Sequence, residues 1–177
     1  MIEKTTLDNS ITVISENLPG FASASIGIWL NTGSRDEKSS LNGISHFYEH
    51  MVFKGTAQRD SLEIVQEIES RGGYINAYTS RENTCFYAKV VAEDLKLATD
   101  ILCDMINEPK LDAQDFRKEK EVILEEVRSC LDNPDDLIGD LYGMAVHAED
   151  ILGRPIAGTL QSVKKLTARD LHKYQKE

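Results

Sequence analysis

The feature that most constrains the fold of this chain is a change in hydrophobic periodicity near residue 43. Before it, apolar residues alternate along one predicted strand, at Ala24, Ile26, Ile28 and Leu30. After it, apolar residues recur mainly at three- and four-residue steps, as a helix requires. The order of strands, a helix, a hairpin and then several helices predicts an α+β fold, with helices packed on one face of a mostly antiparallel sheet.

Two hairpins are indicated by turn residues between β-forming segments. The turn cluster at 8–10 lies between two short β-forming runs and predicts an N-terminal hairpin. Residues 74–91 predict two further antiparallel strands, because a polar break at 81–83 divides an otherwise β-forming stretch.

Helices are predicted from capping signals and apolar stripes. Asp60, with Glu63 three residues later, indicates a capping box, and we expect the stripe of the helix that follows to be Leu62, Val65 and Ile68. Thr167 is the expected N-cap of a last helix. Three other helices are predicted in the second half of the chain, over 95–106, around 116–127 and over 135–148.

Composition limits the classes of partner. The chain has 177 residues and a formal net charge of −10, which argues against nucleic acid and against an anionic membrane surface. No apolar run approaches the roughly 18–20 residues that a membrane span needs, and no signal peptide is visible. Three widely spaced cysteines do not indicate a disulfide framework. We therefore expect one cytoplasmic domain.

Two histidines and a glutamate form the pattern HxxEH. His46 and His50 are four residues apart, so a helix places them on one face, where both imidazoles can bind one metal ion. Glu49 lies beside that face, within reach of a metal-bound water. The alternative is a solvated histidine pair on a helix surface. The apolar neighbours of these residues favour a buried helix, in which the pair would need a compensating ligand such as a metal.

A zinc site with two histidines needs a third protein ligand if it is catalytic. Glu119 and Glu126 are seven residues apart, two turns along one face of a predicted helix, with Val122 and Ile123 on the same side. Coincidence in an acidic helix remains the alternative explanation for this spacing. Two other glutamates of this helix, Glu121 and Glu125, are interpreted as part of its solvated face.

Five segments together resemble one known family. Residues 33–37, 43–56, 72–84, 119–126 and 152–159 resemble the M16 (pitrilysin-type) zinc metallopeptidases. The resemblance is nearest to the subgroup that contains the mitochondrial processing peptidase and its bacterial relatives. It extends along nearly the whole chain and implies the M16/LuxS-like metallohydrolase type of α+β fold.

The resemblance implies a role for each residue of the site. It implies one zinc ion per chain, with His46, His50 and Glu126 as ligands. Glu49 corresponds to the catalytic base, which takes a proton from the metal-bound water. Glu119 corresponds to a second glutamate that assists catalysis or orients a ligand.

The resemblance also implies how a substrate is bound. The strand that carries Asn76 and Ala77 is expected at a sheet edge beside the metal, where an extended peptide could add as a further strand. Phe47 is a third expected substrate contact. The function implied is that of a zinc-dependent endopeptidase acting on extended or unfolded peptides. Ordinary polar hairpin positions are the alternative interpretation of this strand.

The relation to the family leaves the domain organisation and two other functions open. Residues 1–177 are expected to be a single, truncated N-terminal catalytic domain, because the family carries a second homologous half that is absent here. That half, or a partner subunit, is expected in the full enzyme, and the isolated chain is expected to be weakly active or inactive. One alternative is a non-catalytic scaffold or assembly subunit of the same family. A structural zinc module would need a fourth ligand; Cys85, Cys103 and Cys130 could in principle provide one, but none lies at a spacing that indicates it.

Overall fold

The structure, a computed structural model, describes residues 1–148 and 150–176. Five strands are present in this part of the chain: β1 (Ile2–Thr6), β2 (Thr12–Glu16), β3 (Ser23–Leu30), β4 (Tyr74–Thr79) and β5 (Thr84–Val91). The α-helices are α1 (Ile44–Val52), α2 (Ser61–Glu69), α3 (Leu95–Asn107), α4 (Ala113–Asp132), α5 (Pro134–His147), α6 (Leu160–Lys165) and α7 (Ala168–Tyr174). The predicted α+β class is confirmed.

The strands form two antiparallel sheets rather than one. β1 and β2 pair only with each other, whereas β3, β5 and β4 form a three-stranded sheet in that order. β5 is therefore central, and β4 lies at an edge of this sheet within the described residues. Each strand of the N-terminal hairpin is exposed along its whole length.

The helices bury one face of the three-stranded sheet. α1 and α2 pack against β4, and α3 packs against β3 and β5. α4 crosses behind α1, and the ring of Phe47 on α1 stacks on Phe116 of α4 at a centroid distance of 4.6 Å. The centre of the core contains large side chains without exposed surface, including Phe86, Met51, Ile64, Ile68, Ile101 and Met105. α1, which carries both candidate ligand histidines, is thereby fixed between the sheet and α4.

The start of α2 agrees with its predicted capping box, but its buried stripe differs. Asp60 accepts hydrogen bonds from two backbone N–H groups, and Glu63 accepts one from the Asp60 N–H. Leu62, expected in the core, is 60% exposed, whereas Ile64 and Ile68 are fully buried. The packing of α2 against β4 selects this i, i+4 pair, which the sequence pattern alone does not distinguish from its neighbours.

The C-terminal helices are close to those expected, with one addition. Thr167 caps α7 as predicted; the last position of the predicted helix, residue 177, lies outside the described residues. α6 is not predicted from the sequence. It has only six residues, and Val163 is the buried one. So short a segment shows no helical periodicity. No helix in the described part of the chain is long and apolar enough to cross a membrane.

Candidate metal centre

α1 begins at a glycine, and its first turn is capped by a carboxylate from elsewhere in the chain. Gly43 has a φ of +95°, and a Cβ here would lie 2.6 Å from the carbonyl oxygen of Ala157. A glycine has no side chain to cap the helix. The buried Glu37 carboxylate instead accepts hydrogen bonds from the N–H groups of Gly43 and Ser45, both at 2.8 Å. Burial raises the pKa of Glu37, and these backbone hydrogen bonds only partly oppose the rise.

Three side chains from α1 and α4 converge on one point. The Nε2 atoms of His46 and His50 are 3.2 Å apart. Oε2 of Glu126 lies 3.4 Å from Nε2 of His50 and 3.9 Å from Nε2 of His46. All three ligand atoms thus lie within 4.8 Å of one another. The structure brings together the two histidines and the glutamate to which the resemblance assigns metal binding.

The chemistry of this cluster suits a cation. Burial, and to a lesser degree the charge of His50, lowers the pKa of His46 to about 4, so its ring is neutral at pH 7. Nδ1 of His46 is buried and has no hydrogen-bond partner within the described residues. Two imidazole nitrogens and a carboxylate oxygen this close repel one another unless a proton or cation lies between them. Two imidazoles and one carboxylate are a ligand set that zinc accepts in catalytic sites.

Solvent reaches the cluster. The side chains of His46 and His50 are 19% and 18% exposed, whereas that of Glu126 is 44% exposed. A catalytic metal site needs such an opening, since water and substrate must reach the ion. A closed structural site would need a fourth protein ligand, and the cluster of described residues contains no cysteine.

Glu119 contacts the opposite edge of the His50 ring. Its Oε1 lies 2.9 Å from Nδ1 of His50, and its Oε2 accepts a hydrogen bond from Nζ of Lys54 at 2.6 Å. Burial tends to raise the pKa of Glu119, but these two partners outweigh it and hold the pKa below its ordinary value. Burial likewise tends to lower the pKa of His50, but the hydrogen bond to Glu119 and the charge of Glu126 raise it. Glu119 therefore contacts His50 on the side away from the cluster and does not belong to it.

Glu49 lies beside the cluster without belonging to it. The hydroxyl of Thr79, the last residue of β4, donates a hydrogen bond to its Oε2. Burial raises the pKa of Glu49, the hydrogen bond from Thr79 and the charge of His50 oppose the rise, and the charge of Glu126 adds to it. A carboxylate with a raised pKa is better matched to proton transfer near neutral pH than an ordinary one.

The expected substrate contacts lie in different environments. Asn76 is exposed and Ala77 half-buried on the edge strand β4, and Oδ1 of Asn76 accepts a hydrogen bond from the Ala77 N–H. Phe47 has no exposed surface and stacks on Phe116, so its assignment to substrate contact is wrong. The residue lies between the two histidines in sequence, but the helix turns it to the core side.

The helix that carries the two glutamates differs in one respect from its expected pattern. Ile123 is buried as expected, but Val122 is 44% exposed and does not belong to the inward stripe. Glu121 and Glu125 are exposed, as their interpretation as a solvated face predicts. The 100° step between successive helical residues explains why Ile123 faces inward and Val122 does not.

Three residues that support the site or the helix that carries it have no role assigned from the sequence. Glu37 lies in a segment that resembles the family, and an N-terminal glycine at the ligand-bearing helix is a signal that a capping group must come from elsewhere. For Thr79, as for Asn76, an ordinary polar hairpin position is the alternative interpretation from the sequence. Lys54 gave no signal, because its contact with Glu119 depends on how α4 packs against the end of α1.

Comparison with known proteins assigns the family. The family model described as Insulinase (Peptidase family M16) matches residues 12–160. An uncharacterized zinc protease of Mycobacterium leprae is 40% identical over 171 residues, which are 97% of this chain and 38% of that protein. An uncharacterized zinc protease of Bacillus subtilis is 41% identical over 98% of this chain and 42% of its own length. The mitochondrial-processing peptidase subunit beta of Rattus norvegicus is 39% identical over 96% of this chain and 35% of that protein.

Solved structures share the fold. A protease from Helicobacter pylori superposes with a TM-score of 0.94 at 24% identity, covering 99% of this chain and 42% of that one. An M16-like peptidase from Alicyclobacillus acidocaldarius gives a TM-score of 0.90 at 23% identity, again over 99% and 42%. The chain spans about two fifths of the length of these relatives. Since the family model matches most of its residues, the chain belongs to peptidase family M16, the insulinase family.

Proposed function

We propose that this chain is the zinc-binding active-site domain of a metallopeptidase that cleaves within extended or unfolded peptides. The observation that carries the proposal is the convergence of His46, His50 and Glu126, whose ligand atoms lie within 4.8 Å of one another. Relatives that are about 40% identical are named zinc proteases, which supports zinc as the metal and peptide hydrolysis as the reaction.

The three ligands would hold one zinc ion through Nε2 of each histidine and a carboxylate oxygen of Glu126. A zinc ion held there would supply Lewis acidity, which would polarise a substrate carbonyl and lower the pKa of water at the site to about 7. Glu49 then accepts the proton of the attacking water and later donates it to the leaving amine. The hydroxyl of Thr79 holds one carboxylate oxygen of Glu49, which leaves the other oxygen for this proton transfer.

The edge strand β4 is the proposed binding site for the substrate backbone. β4 lies at the edge of the three-stranded sheet, and its last residue, Thr79, contacts Glu49. An extended peptide paired with this edge would run past the metal, and its backbone would provide much of the affinity. We assign this contact to Asn76 and Ala77. Such binding tolerates varied side chains, because the hydrogen bonds come from main-chain groups.

A second homologous domain or a partner subunit is proposed to complete the substrate cavity. The relatives are more than twice as long as this chain, and one of them is named as a subunit of a peptidase. We therefore expect residues 1–177 to bind zinc but to cleave peptides slowly or not at all. The complete set of His46, Glu49, His50 and Glu126 favours a catalytic domain over a non-catalytic scaffold, which has no need to retain all four.

Peptide hydrolysis by two forms of the protein tests this function. The first is the 177-residue chain, and the second is a longer polypeptide in which a homologous second half follows it. We expect chelator-sensitive cleavage of an unstructured peptide by the longer form, and little or none by the shorter. Glu49→Gln in the longer form serves as the matched control, since it should bind zinc yet lose cleavage. Equal cleavage by this variant would contradict the role of Glu49, and inactivity of the zinc-loaded longer form would contradict the function.

A further inference from the structure

Lys54 is connected to the proposed metal site through a buried carboxylate. It directly follows Phe53, the C-cap of α1, and its Nζ donates to Oε2 of Glu119 at 2.6 Å. The other oxygen of Glu119 lies 2.9 Å from Nδ1 of His50. The side chain of Glu119 is only 8% exposed, so few water molecules can compete for either oxygen. Lys54, Glu119 and His50 therefore form a continuous chain of charge-assisted hydrogen bonds.

The geometry of this chain fixes the direction of the His50 ring. Because Nδ1–H donates to Glu119, the lone pair of Nε2 is left to face Nε2 of His46 and the carboxylate of Glu126. A metal-binding histidine commonly has its remote nitrogen held in this way. The orientation of the His50 ring therefore depends on the orientation of the Glu119 carboxylate.

The orientation of Glu119 depends in turn on Lys54. A carboxylate held at one oxygen can rotate about its χ3 angle, whereas one held at both oxygens by fixed partners cannot. Lys54 is anchored at the end of the helix that carries His50, since its backbone N–H donates to the carbonyl of Met51 at 3.0 Å. Lys54 and His50 thus contact the two oxygens of Glu119 from one rigid element.

We propose that Lys54 is a positioning residue of the metal site, which acts on His50 through Glu119. The inference deepens the proposed function and rests on its metal site. Lys54 itself contacts neither metal nor substrate. It holds the Glu119 carboxylate in the rotamer that directs Nε2 of His50 toward the other two ligands.

Zinc affinity of the 177-residue chain, measured by competition with a chelator, tests the proposal. Replacing a residue that supports a ligand typically lowers metal affinity roughly 10–100-fold, so we expect Lys54→Met to weaken zinc binding about tenfold. Lys54→Arg keeps the cation and should restore part of the loss. Lys118→Met is the matched control, because Lys118 precedes Glu119 on α4 but pairs with the surface residue Asp115. Lys118→Met should change the zinc affinity by no more than about twofold, which is well below the change expected when a supporting residue is lost.

A double-variant cycle separates action through Glu119 from a general effect. In a Glu119→Gln background, Lys54→Met should lower zinc affinity no further, since the carboxylate that transmits its effect is gone. An equal loss in both backgrounds, or the same affinity for Lys54→Met and Lys118→Met, would overturn the proposal. If Lys54→Met fails to fold because it leaves the buried Oε2 of Glu119 without a partner, Lys54→Gln replaces it with the same expected results.

The ring proton of His50 provides a readout that does not require zinc. In zinc-free protein labelled with 15N-histidine, the Nδ1–H of His50 should be protected from solvent exchange, and Lys54→Met should make its exchange faster. If the Nδ1–H of His50 is as well protected in Lys54→Met as in wild type, the proposal is overturned, even where the wild-type chain binds zinc normally. If the wild-type chain binds no zinc but its His50 Nδ1–H is protected and loses that protection in Lys54→Met, the proposed function would be contradicted and the contact of Lys54 with His50 through Glu119 would stand.

Discussion

Glu119 and Glu126 approach opposite edges of a single imidazole. Oε1 of Glu119 lies 2.9 Å from Nδ1 of His50, and Oε2 of Glu126 lies 3.4 Å from Nε2 of the same ring. Two turns of α4 thus place one carboxylate behind the ring and one in front of it. The two glutamates share a helix face but have different surroundings, since Glu119 is buried and Glu126 is half-exposed. We infer that they have different roles.

Replacement of Glu119 should weaken the site without abolishing it. We expect Glu119→Gln to lower zinc affinity roughly 10–100-fold, because an amide holds the His50 ring less strongly than a carboxylate does. Glu121→Gln, on the exposed side of the same helix, should have no measurable effect. Chelator competition measures both affinities. An affinity for Glu119→Gln equal to that of wild type would show that the ring does not depend on this contact.

Glu37 should be important for stability although it contacts no ligand. Glu37→Ala leaves the buried N–H groups of Gly43 and Ser45 without their acceptor, and we expect a loss of about 2–3 kcal/mol in the free energy of unfolding. Glu69→Ala, at the exposed end of α2, should change that free energy by less than about 0.5 kcal/mol. Urea unfolding measures both values. Similar small losses in the two variants would mean that α1 does not need this cap.

His46 should remain neutral well into the acid range in the zinc-free chain. Burial and the neighbouring His50 lower its pKa from 6.5 to about 4. The unfolded chain binds a proton at this residue as pH falls through 6.5, whereas the folded chain does not until about pH 4. Because of His46, the free energy of unfolding therefore decreases as the pH falls from 6.5 to about 4. NMR titration of the ring should give a midpoint near 4, and a midpoint near 6.5 would contradict the burial described here.

Phe47 should behave as a core residue and not as a substrate contact. Phe47→Ala removes a ring that has no exposed surface, and we expect a loss of about 3–5 kcal/mol in the free energy of unfolding. Phe21→Ala is the matched control, since Phe21 is 69% exposed and should cost less than about 0.5 kcal/mol. Thermal or urea unfolding compares the two. A stability loss as small as that of Phe21→Ala would mean that the stack on Phe116 contributes little.

Local sequence rules predict the elements and part of the site. Helical spacing is sufficient to predict that His46 and His50 share a face, and the structure places their Nε2 atoms 3.2 Å apart. Spacing alone leaves the glutamates of α4 ambiguous, since an acidic helix contains several pairs at similar intervals. The resemblance to M16 peptidases singles out Glu126, which the structure brings to the two histidines.

Features that depend on tertiary packing are not predictable in this way. The contact of Lys54 with Glu119 and the cap from Glu37 to α1 join residues with no local pattern in common. The same holds for the exposed Leu62 and the buried Phe47, because tertiary packing decides which side of an apolar helix faces the core. The separate N-terminal hairpin is a further example, since strand periodicity does not state which strands pair.

Zinc content of three purified forms is the most direct test of the central claim, that side chains from α1 and α4 bind one metal ion together. Wild type and Glu49→Gln should each retain one zinc ion per chain after dialysis, because Glu49 lies outside the ligand cluster. Glu126→Gln should lose the metal. Equal zinc retention by Glu126→Gln and Glu49→Gln would contradict the claim, since Glu126 would then not be a ligand.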